Sequence, residues 1–315
     1  MARVTFEERF LGALFGLVVG DALGVPVEAR SRASLHDDPV RDLQPAAHWS
    51  DDTAMTLCVL EGLENDSRDF RAVAALFQRW LHEGYWTIEA RAEGVGAITR
   101  AALEAAPDLD DPRDAGRTGD MSNGNGSLMR TLGVALRHAN SPSAVLAAAA
   151  DDVSRLTHAH PRSRVACGVY CEIVRRLLHE EDPARAWEGA RLWASDTYAQ
   201  QFPTEMNHWG ALLGRRAEDW RALEEAQIGS SGYVLHTLET AIWCLLSTMS
   251  YPECVLRAVN MGYDADTSAA VAGGLAGAAH GLRSIPASWR EGLARAEEIE
   301  ALGRRVLQRV EAEAG

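Results

Sequence analysis

Two short acidic segments contain the residues best suited to bind a divalent cation. Carboxylates and hydroxyls without histidine or cysteine favour Mg²⁺, Mn²⁺ or Ca²⁺ over zinc. Four aspartates can also hold two such ions about 4 Å apart, which is the arrangement found in two-metal hydrolases. The oxygen ligands offered by the SDDT and DADT segments are Ser50, Asp51, Asp52, Asp264, Asp266 and Thr267.

The residues that follow DADT indicate that this half of the site is buried. Residues 268–279 are almost wholly Ala, Gly, Val and Leu, which is typical of a helix enclosed on all sides. Asp264 and Asp266 would then lie near the interior, where two carboxylates repel each other without a cation. Ser50 is a suitable N-cap for a helix over residues 52–63. The alternative is that both segments only cap surface helices, since acids there gain ~0.3–1 kcal/mol each from the helix dipole.

Two loops carry further candidate ligand contacts. The stretch SNGNGSLMR, residues 122–130, is rich in Gly and Asn and leads into a helix, so its amides can bind a phosphate or diphosphate. It lacks the lysine of a P-loop, and a plain turn before a helix is the alternative. In LTHAHP, residues 156–161, His158 and His160 either contact a ligand or interact with a helix C-terminus.

The composition limits the classes of function. The chain has 315 residues, 47% apolar and 24% charged, as a soluble globular protein does. Its formal charge of −14 argues against a nucleic-acid surface, which needs clustered basic residues. Five cysteines without a CxxC pair suggest reduced, buried thiols. The apolar N-terminal stretch is interrupted by Asp21 and lacks a cleavage-site pattern, so we expect no signal peptide or membrane span and a cytoplasmic location.

Apolar periodicity predicts helices almost throughout and no persistent strand. We expect a single all-α domain, residues 1–315, built as a compact orthogonal bundle of about a dozen or more helices. Pro26 ends the first helix, which places Asp21 and Glu28 on or beside a loop. Residues 200–232 are less periodic and are interpreted as a surface excursion. The predicted helices cover residues 6–19, 52–63, 70–82, 91–106, 128–138, 143–157, 162–179, 183–199, 233–248, 252–259, the run after 266, and 289–312.

Six motifs, in this order, resemble the ADP-ribosylglycohydrolase family. That family includes dinitrogenase-reductase-activating glycohydrolase and the hydrolases of ADP-ribosyl-arginine and ADP-ribosyl-serine. The resemblance runs from about Gly12 to Gly281, nearly the whole chain. The motifs are GALFGLVVGDALGVPVE, WSDDTAM, SNGNGSLMR, LTHAHP, SGYVLHTLETAIWCL and GYDADTSAAVAGGLAGAAHG.

The resemblance implies a compact all-α fold with a dinuclear Mg²⁺ or Mn²⁺ centre that cleaves the bond between ADP-ribose and its acceptor. By position, the six oxygen ligands named above look like the family's metal ligands. Glu28, Asp51 and Asp52 are the expected catalytic carboxylates, and Glu28 matches a glutamate that lies over the substrate ribose and moves as a gate. The residues expected around the diphosphate and the adenosine are Asn123, Gly124, Asn125, Gly126, Ser127, His158 and Tyr233.

The sequence also departs from the family pattern. Ser50 stands where many relatives have Thr, which keeps the hydroxyl. Ala265 lies between the two aspartates, where relatives usually carry a hydroxyl. The GVGAITR stretch, residues 94–100, differs from the Asn-bearing loop of near relatives and bears on which acceptor is preferred.

The residues are consistent with the chemistry that the resemblance implies. Two cations can bind the cis-diol of a ribose and lower the pKa of a water, and an aspartate can assist that water as the nucleophile. Departure from the anomeric carbon passes through an oxocarbenium-like state that nearby carboxylates stabilise. A guanidinium leaving group is already charged and needs little acid help, whereas a serine alkoxide needs a proton.

We therefore expect an Mg²⁺- or Mn²⁺-dependent hydrolase that releases ADP-ribose, with arginine of an ADP-ribosylated protein as the favoured acceptor and no membrane partner. Within the same class, the acceptor can instead be serine or a small-molecule adduct. A catalytically silent ADP-ribose-binding or crystallin-like protein is a second alternative, but it predicts lost ligands, and all six positions hold oxygen donors. A third is a phosphohydrolase that uses the same metals on the diphosphate.

Overall fold

Helices follow the apolar pattern along the chain. The computed structural model describes residues 3–44 and 47–314, and within them it has sixteen α-helices, three isolated β-bridges and no strand. The predicted all-α class is confirmed. The helices are α1 Phe6–Gly24, α2 Arg32–Asp37, α3 Asp51–Gly62, α4 Phe70–Glu83, α5 Ala97–Ala105, α6 Leu132–Arg137, α7 Ser143–Arg155, α8 Pro161–Leu178, α9 Pro183–Gln201, α10 Gly210–Leu213, α11 Ala217–Ala222, α12 Val234–Ser247, α13 Tyr251–Val259, α14 Ala265–His280, α15 Ala287–Glu291 and α16 Ala296–Ala314.

Helices α1 and α14 form a close antiparallel pair at the centre of the fold. A Cβ added at Gly16 would lie 2.3 Å from the carbonyl oxygen of Gly273, and one at Gly20 would lie 2.1 Å from that of Ala269. No side chain fits at such separations, so the glycines at four-residue spacing allow the two backbones to touch. The other helices surround the pair: α14 also packs against α8, α12 and α13, and α1 against α3 and α16.

The pairing brings three helix ends together. Gly24, the last residue of α1, lies against the backbone of Asp266 in the first turn of α14. The start of α3 is hydrogen-bonded to Asp21 in the last turn of α1. The two acidic segments, about two hundred residues apart in sequence, therefore meet at one end of the central pair.

The structure corrects the predicted end of the first helix. Helix α1 continues to Gly24, and Pro26 lies within a following 3₁₀ turn, Val25–Val27, where its missing N–H is tolerated. Asp21 is consequently a fully buried helical residue, so its predicted place on or beside a loop is wrong. Glu28 does follow the turn and is exposed.

Three other predicted elements are also corrected. The helix predicted over 91–106 begins only at Ala97, because Gly94 adopts φ +68° in the preceding loop. The helix predicted over 289–312 is divided into α15 and α16. The segment 200–232 is not a surface excursion, because Trp209 and Trp220 within it are fully buried. Arg32 also donates hydrogen bonds to the backbone oxygens of Glu225 and Ile228.

The apolar N-terminal helix belongs to the core. The stretch Phe6–Val27 is long and apolar enough to cross a membrane by length and composition, yet 89% of its most apolar window is buried inside the protein. That burial follows from its contact with α14 along its length. The apolar composition of α1 is therefore explained by packing within the protein.

Candidate active site

A buried carboxylate in α1 organises the start of α3. Asp21 accepts hydrogen bonds from the backbone N–H and hydroxyl of Ser50 and from the backbone N–H and hydroxyl of Thr53, over 2.6–3.1 Å. Burial raises the pKa of Asp21, and the hydrogen bonds from Thr53 and Ser50 oppose that effect. Asp21 therefore determines where the first turn of α3 lies.

Beside Asp21 lie two carboxylates that the protein leaves incompletely bonded. One carboxylate oxygen from each of Asp21, Asp52 and Asp266 lies within 4.8 Å of the others. The Oδ1 atoms of Asp52 and Asp266 are buried, and neither has a hydrogen-bond partner among the described residues. A buried polar atom without a partner costs about 1–3 kcal/mol, and more when it is charged. A cation between these oxygens would remove that cost, so the residues fit a metal site.

Two hydroxyls complete the same cluster. Ser50 Oγ lies 3.0 Å from Asp52 Oδ2, and Thr267 Oγ1 lies 3.3 Å from that oxygen. Adjacent ligands of an octahedral ion with metal–oxygen distances of about 2.1 Å are separated by roughly 3 Å. Asp21 Oδ1 lies 2.9 Å from Ser50 Oγ and can accept the hydroxyl hydrogen. The backbone N–H of Asp52 donates to one lone pair of Ser50 Oγ, and the other lone pair can face a cation. These separations are therefore compatible with a hard divalent cation.

The electrostatics of the cluster point the same way. Burial and the neighbouring Asp21 charge raise the pKa of Asp51 and Asp52 well above the usual range. Burial and the Asp264 charge do the same for Asp266. Mutual repulsion of this kind is relieved either by protons or by a cation.

The cluster forms one end of an open cleft of about 600 Å³. Its acidic end is lined by Glu28, Asp51, Asp264, Asp266 and Thr267. The rest of the lining includes Gly124, Asn125, Gly126 and His158, together with Thr99 of α5, Ser231 and Gly232. The size is within the range of small-molecule and cofactor sites. No arginine belongs to this lining among the described residues, and the sequence contains no lysine.

The sequence model of the ADP-ribosylglycohydrolase family matches residues 2–314. The chain belongs to the ADP-ribosylglycohydrolase family. It is 30% identical to "ADP-ribosylarginine hydrolase Tri1" of Serratia proteamaculans over 94% of this chain and 78% of that protein. It is 29% identical to the ADP-ribosyl-(dinitrogen reductase) glycohydrolase of Rhodospirillum rubrum, over 92% of this chain and 91% of that protein. A solved structure described as an ADP-ribosylglycohydrolase-related protein complex matches with a TM-score of 0.75 at 30% identity, covering 96% of this chain and 98% of the other.

Family membership makes the chain an enzyme that hydrolyses glycosidic linkages of ADP-ribose. The family is metal-dependent, and the buried aspartates are a site that can hold an ion. The predicted membership of the ADP-ribosylglycohydrolase family is thus confirmed.

The glycine-rich loop reaches both ends of the cleft. Asn125 Nδ2 donates to Asp264 Oδ2 at 2.6 Å and to Thr237 Oγ1 at 2.9 Å, which ties the loop to the acidic end. Gly126 faces the imidazole of His158, since a Cβ on Gly126 would lie 2.8 Å from Cε1 of that ring. The loop therefore packs its backbone against His158 at Gly126, while Asn125 is hydrogen-bonded to Asp264.

Two predicted residues of the loop face elsewhere. Ser127 is buried, its Oγ lies 2.9 Å from Ser154 Oγ, and it does not line the cleft. The Asn123 side chain donates to the backbone carbonyl of Asp120, and the backbone carbonyl of Asn123 accepts from the backbone N–H of Val234. Both residues hold the shape of the loop in this structure.

The two histidines of LTHAHP differ in position. His158 lines the cleft and is 2% exposed. His160 caps the start of α8 by accepting a hydrogen bond from the backbone N–H of Arg162. Its role here is structural, but at a helix N-terminus instead of the predicted C-terminus. Burial and the nearby Arg130 charge lower the pKa of His158 to about 3, so its imidazole is neutral at physiological pH.

The aromatic residue in the cleft lining is Tyr263, not the predicted Tyr233. The Tyr233 ring packs edge-on against His236 at 5.1 Å between centroids, while its backbone pairs with Gly124. Tyr263 is 52% exposed and lines the cleft directly before Asp264. Its position inside the GYDADT motif is the sequence signal that points to it.

The loop that carries Glu28 is fastened to the same segment. The backbone N–H of Ala29 donates to the Tyr263 carbonyl at 2.8 Å, and that of Tyr263 donates to the Arg30 carbonyl at 2.7 Å. Both Ala29 and Tyr263 adopt positive φ, +65° and +59°. Glu28 accepts no hydrogen bond from the described residues and lines the acidic end, where burial and the Asp264 charge raise its pKa.

Sequence analysis did not identify Asp21 as a site residue. The available signal is its place as the one charged residue within the apolar stretch FLGALFGLVVGDALG. A lone carboxylate in such a stretch has to be hydrogen-bonded or paired inside the protein. Ala265, the departure from the family motif, is fully buried as the first residue of α14 and does not line the cleft.

Proposed function

We propose that this enzyme uses two Mg²⁺ or Mn²⁺ ions to hydrolyse the bond between ADP-ribose and an arginine side chain of a modified protein. The observation that supports this most directly is the meeting of both acidic segments, with two unpartnered buried carboxylate oxygens, at the end of a cleft. Free ADP-ribose is the product. The proposed metal ligands are Ser50, Asp51, Asp52, Asp264, Asp266 and Thr267.

The ions would bind the ribose hydroxyls as Lewis acids and lower the pKa of a water close to the anomeric carbon. Around them, Asp21 holds Ser50 and the first turn of α3 in place through its hydrogen bonds. Glu28 and Asp51 face the cleft and supply negative charge where positive charge develops on the ribose. Asp51 or Asp52 accepts the proton of the attacking water.

The charge of the cleft supports arginine as the acceptor. The arginine substituent is already protonated, so it departs with the bonding electron pair as a neutral guanidine and needs no general acid. The residues at the acidic end of the cleft would stabilise its positive charge before the bond breaks. The loop before α5 approaches this end: a Cβ at Gly94 would lie 2.3 Å from Asp51 Oδ1. The relative from Serratia proteamaculans is named an ADP-ribosylarginine hydrolase, which agrees with this assignment.

The opposite end of the cleft suits the diphosphate. The carboxylates would repel it, whereas the backbone N–H groups of Gly124 and Gly126 and the neutral imidazole of His158 can donate hydrogen bonds. The backbone N–H of Asn125 already donates to the Gly232 carbonyl. Tyr263 offers an exposed aromatic face for the sugar or the adenine. We further propose that the whole chain acts as one cytoplasmic domain without nucleic-acid or membrane partners, in line with its main core, which extends from Phe10 to Val310, and its charge of −14.

The proposal is tested with synthetic peptides carrying arginine-linked or serine-linked ADP-ribose. The protein is incubated with Mn²⁺ or Mg²⁺, then with a chelator, and the products are identified by mass spectrometry. We expect intact ADP-ribose from the arginine-linked peptide, with loss of activity on chelation. AMP as the product would indicate a phosphohydrolase, and no release from either peptide by the metal-loaded protein would refute the proposal.

A matched pair of variants connects the activity to the site. Asp266→Asn removes one charge from the cluster, and we expect it to abolish turnover and to remove the thermal stabilisation by Mn²⁺. Asp196→Asn makes the same change at an exposed position of α9 and should leave both unchanged. Wild-type turnover in Asp266→Asn would show that the two-segment site is wrong.

A further inference from the structure

Behind the glycine-rich loop lies a buried arginine that forms no ion pair. Arg130 is fully buried, and the ion pairs between described residues do not include it. Its guanidinium donates to the carbonyls of Gly126 at 2.8 Å and Val153 at 3.2 Å, and it lies over the ring of Phe77, 4.7 Å from the centroid. A buried charge without a carboxylate partner is costly inside a protein, so the hydrogen bonds of the guanidinium have to offset its lost hydration.

One more hydrogen bond of Arg130 connects it to the cleft. Its Nη2 donates to Thr157 Oγ1 at 2.7 Å, and that oxygen lies 2.7 Å from Nδ1 of His158. The Thr157 oxygen accepts from the guanidinium, and Nδ1 of His158 is the one acceptor that the hydrogen bonds of the described residues offer to its own hydrogen. A neutral imidazole that accepts at Nδ1 carries its proton at Nε2.

The protonated nitrogen lies at the loop expected to bind phosphate. A Cβ added at Gly126 would be 3.2 Å from Nε2 of His158, and one at Gly124 would be 3.7 Å from it. The imidazole also lines the cleft, so its N–H is available to a ligand held by this loop. No basic side chain joins it in the described lining. Arg130, connected to the imidazole through Thr157, is a buried positive charge that acts on the same region through a medium of low dielectric constant.

We propose that Thr157, oriented by Arg130, is a positioning residue that holds His158 as an Nε2–H donor to the diphosphate of the substrate. This inference rests on the proposed function, because the ligand it names is the diphosphate of ADP-ribose. Without the hydroxyl, the imidazole is free to rotate or to exchange its proton between the two nitrogens. The donor at the phosphate end would then be present only part of the time.

The first measurement concerns the histidine alone and needs no substrate. In protein labelled with ¹⁵N-histidine, the His158 signals are assigned by their absence from a His158→Gln variant. We expect the neutral Nε2–H tautomer in the wild type, with Nδ1 shifted by an accepted hydrogen bond. In Thr157→Val the Nδ1 signal should move toward that of a nitrogen without a donor. An Nδ1–H tautomer in the wild type would overturn the proposal.

The second measurement is the affinity for ADP-ribose, by calorimetry with Mn²⁺ present. We expect Thr157→Val to weaken binding about tenfold, as for one hydrogen bond to a charged group, and Thr157→Ser to restore it. The affinity for Mn²⁺ alone should not change. Thr248→Val is the control, since its hydroxyl donates to the Cys244 carbonyl of α12 and Thr248 does not line the cleft.

The outcomes separate this inference from the proposed function. If wild-type protein with the Nε2–H tautomer did not bind ADP-ribose, the proposed function would fail while the hydrogen-bond chain remained. If Thr157→Val changed neither the spectrum nor the affinity, the chain would have no role in ligand binding. If Thr157→Val did not fold, the wild-type tautomer and the Thr157→Ser variant would decide, since loss of affinity with serine contradicts the role of the hydroxyl.

Discussion

Gly24 is not a proposed metal ligand, but its contact with Asp266 predicts that a substitution at Gly24 weakens metal binding. A Cβ on Gly24 would lie 2.2 Å from the Cα of Asp266 and 2.4 Å from its backbone nitrogen. Contacts between carbon atoms are comfortable only beyond roughly 3.4 Å, so Gly24→Ala must separate these backbones by about 1 Å. Metal–ligand distances tolerate only about 0.2 Å, so the start of α14 would move about five times too far.

The expected effect has two parts. Overpacking should lower stability by about 1–3 kcal/mol, which for this length is roughly 1.5–5 °C in Tm. The displacement of Asp266 should in addition weaken Mn²⁺ binding at least tenfold, which lowers the stabilisation at a fixed, near-saturating concentration of Mn²⁺ by about 1.4 kcal/mol. Both are measured by thermal unfolding over a series of Mn²⁺ concentrations, with calorimetry for the dissociation constant.

A second glycine on the same helix pair supplies the control. A Cβ on Gly12 would lie 2.6 Å from the carbonyl oxygen of Gly277, a clash of similar kind about 18 Å along the helix. We expect Gly12→Ala to lower the Tm of the metal-free protein by a similar amount while leaving the Mn²⁺ affinity unchanged. If Gly24→Ala kept wild-type affinity, or if both variants lost it equally, local positioning of Asp266 by the helix contact would be refuted.

Two further predictions concern the carboxylates. In the metal-free protein the raised pKa values of Asp52 and Asp266 contribute stability that is present below the ordinary aspartate pKa. This stability is lost as the pH rises through the pKa values that the two residues have in the folded protein. Asp111, with a pKa of about 2, stays ionised. We therefore expect the Tm in EDTA to fall, and the increase in Tm due to Mn²⁺ to grow, between pH 5 and pH 8; an increase that shrinks with pH would contradict this. Glu28→Gln should reduce turnover by about 10- to 100-fold while Mn²⁺ affinity stays unchanged, since its exposed carboxylate lines the part of the cleft where we propose that the ribose binds. Equal loss of turnover and affinity would instead make Glu28 a metal ligand.

Much of the fold was predictable because its causes are local. The run of small apolar residues after Asp266 predicts a buried helix, and α14 is one. Ser50 was expected to cap a helix, and its hydroxyl accepts from the backbone N–H of Asp52 at the start of α3. The helical class follows from periodicity, which each segment carries in its own residues.

The end of α1 was not predictable from the same signals. Pro26 predicts an early end of the first helix, yet a proline only lacks its own N–H and crowds the carbonyl four residues before it. The backbone can continue to Gly24 because α14 packs against it and stabilises the last turns. Because of that packing, Asp21 lies in the interior. Rules that consider only neighbouring residues do not predict this position.

For the site, the sequence by itself determined the ligand types, because oxygen donors at two helix starts restrict the chemistry to hard cations. Only the tertiary structure decided which donors meet. Asp21 joins the cluster, Tyr263 lines the cleft, and Ser127 faces Ser154 instead of the cleft. The physical reason is that each depends on contacts between segments far apart in the chain. The close approach of α1 and α14 sets those contacts, and it depends on the absence of side chains at the glycines of both helices.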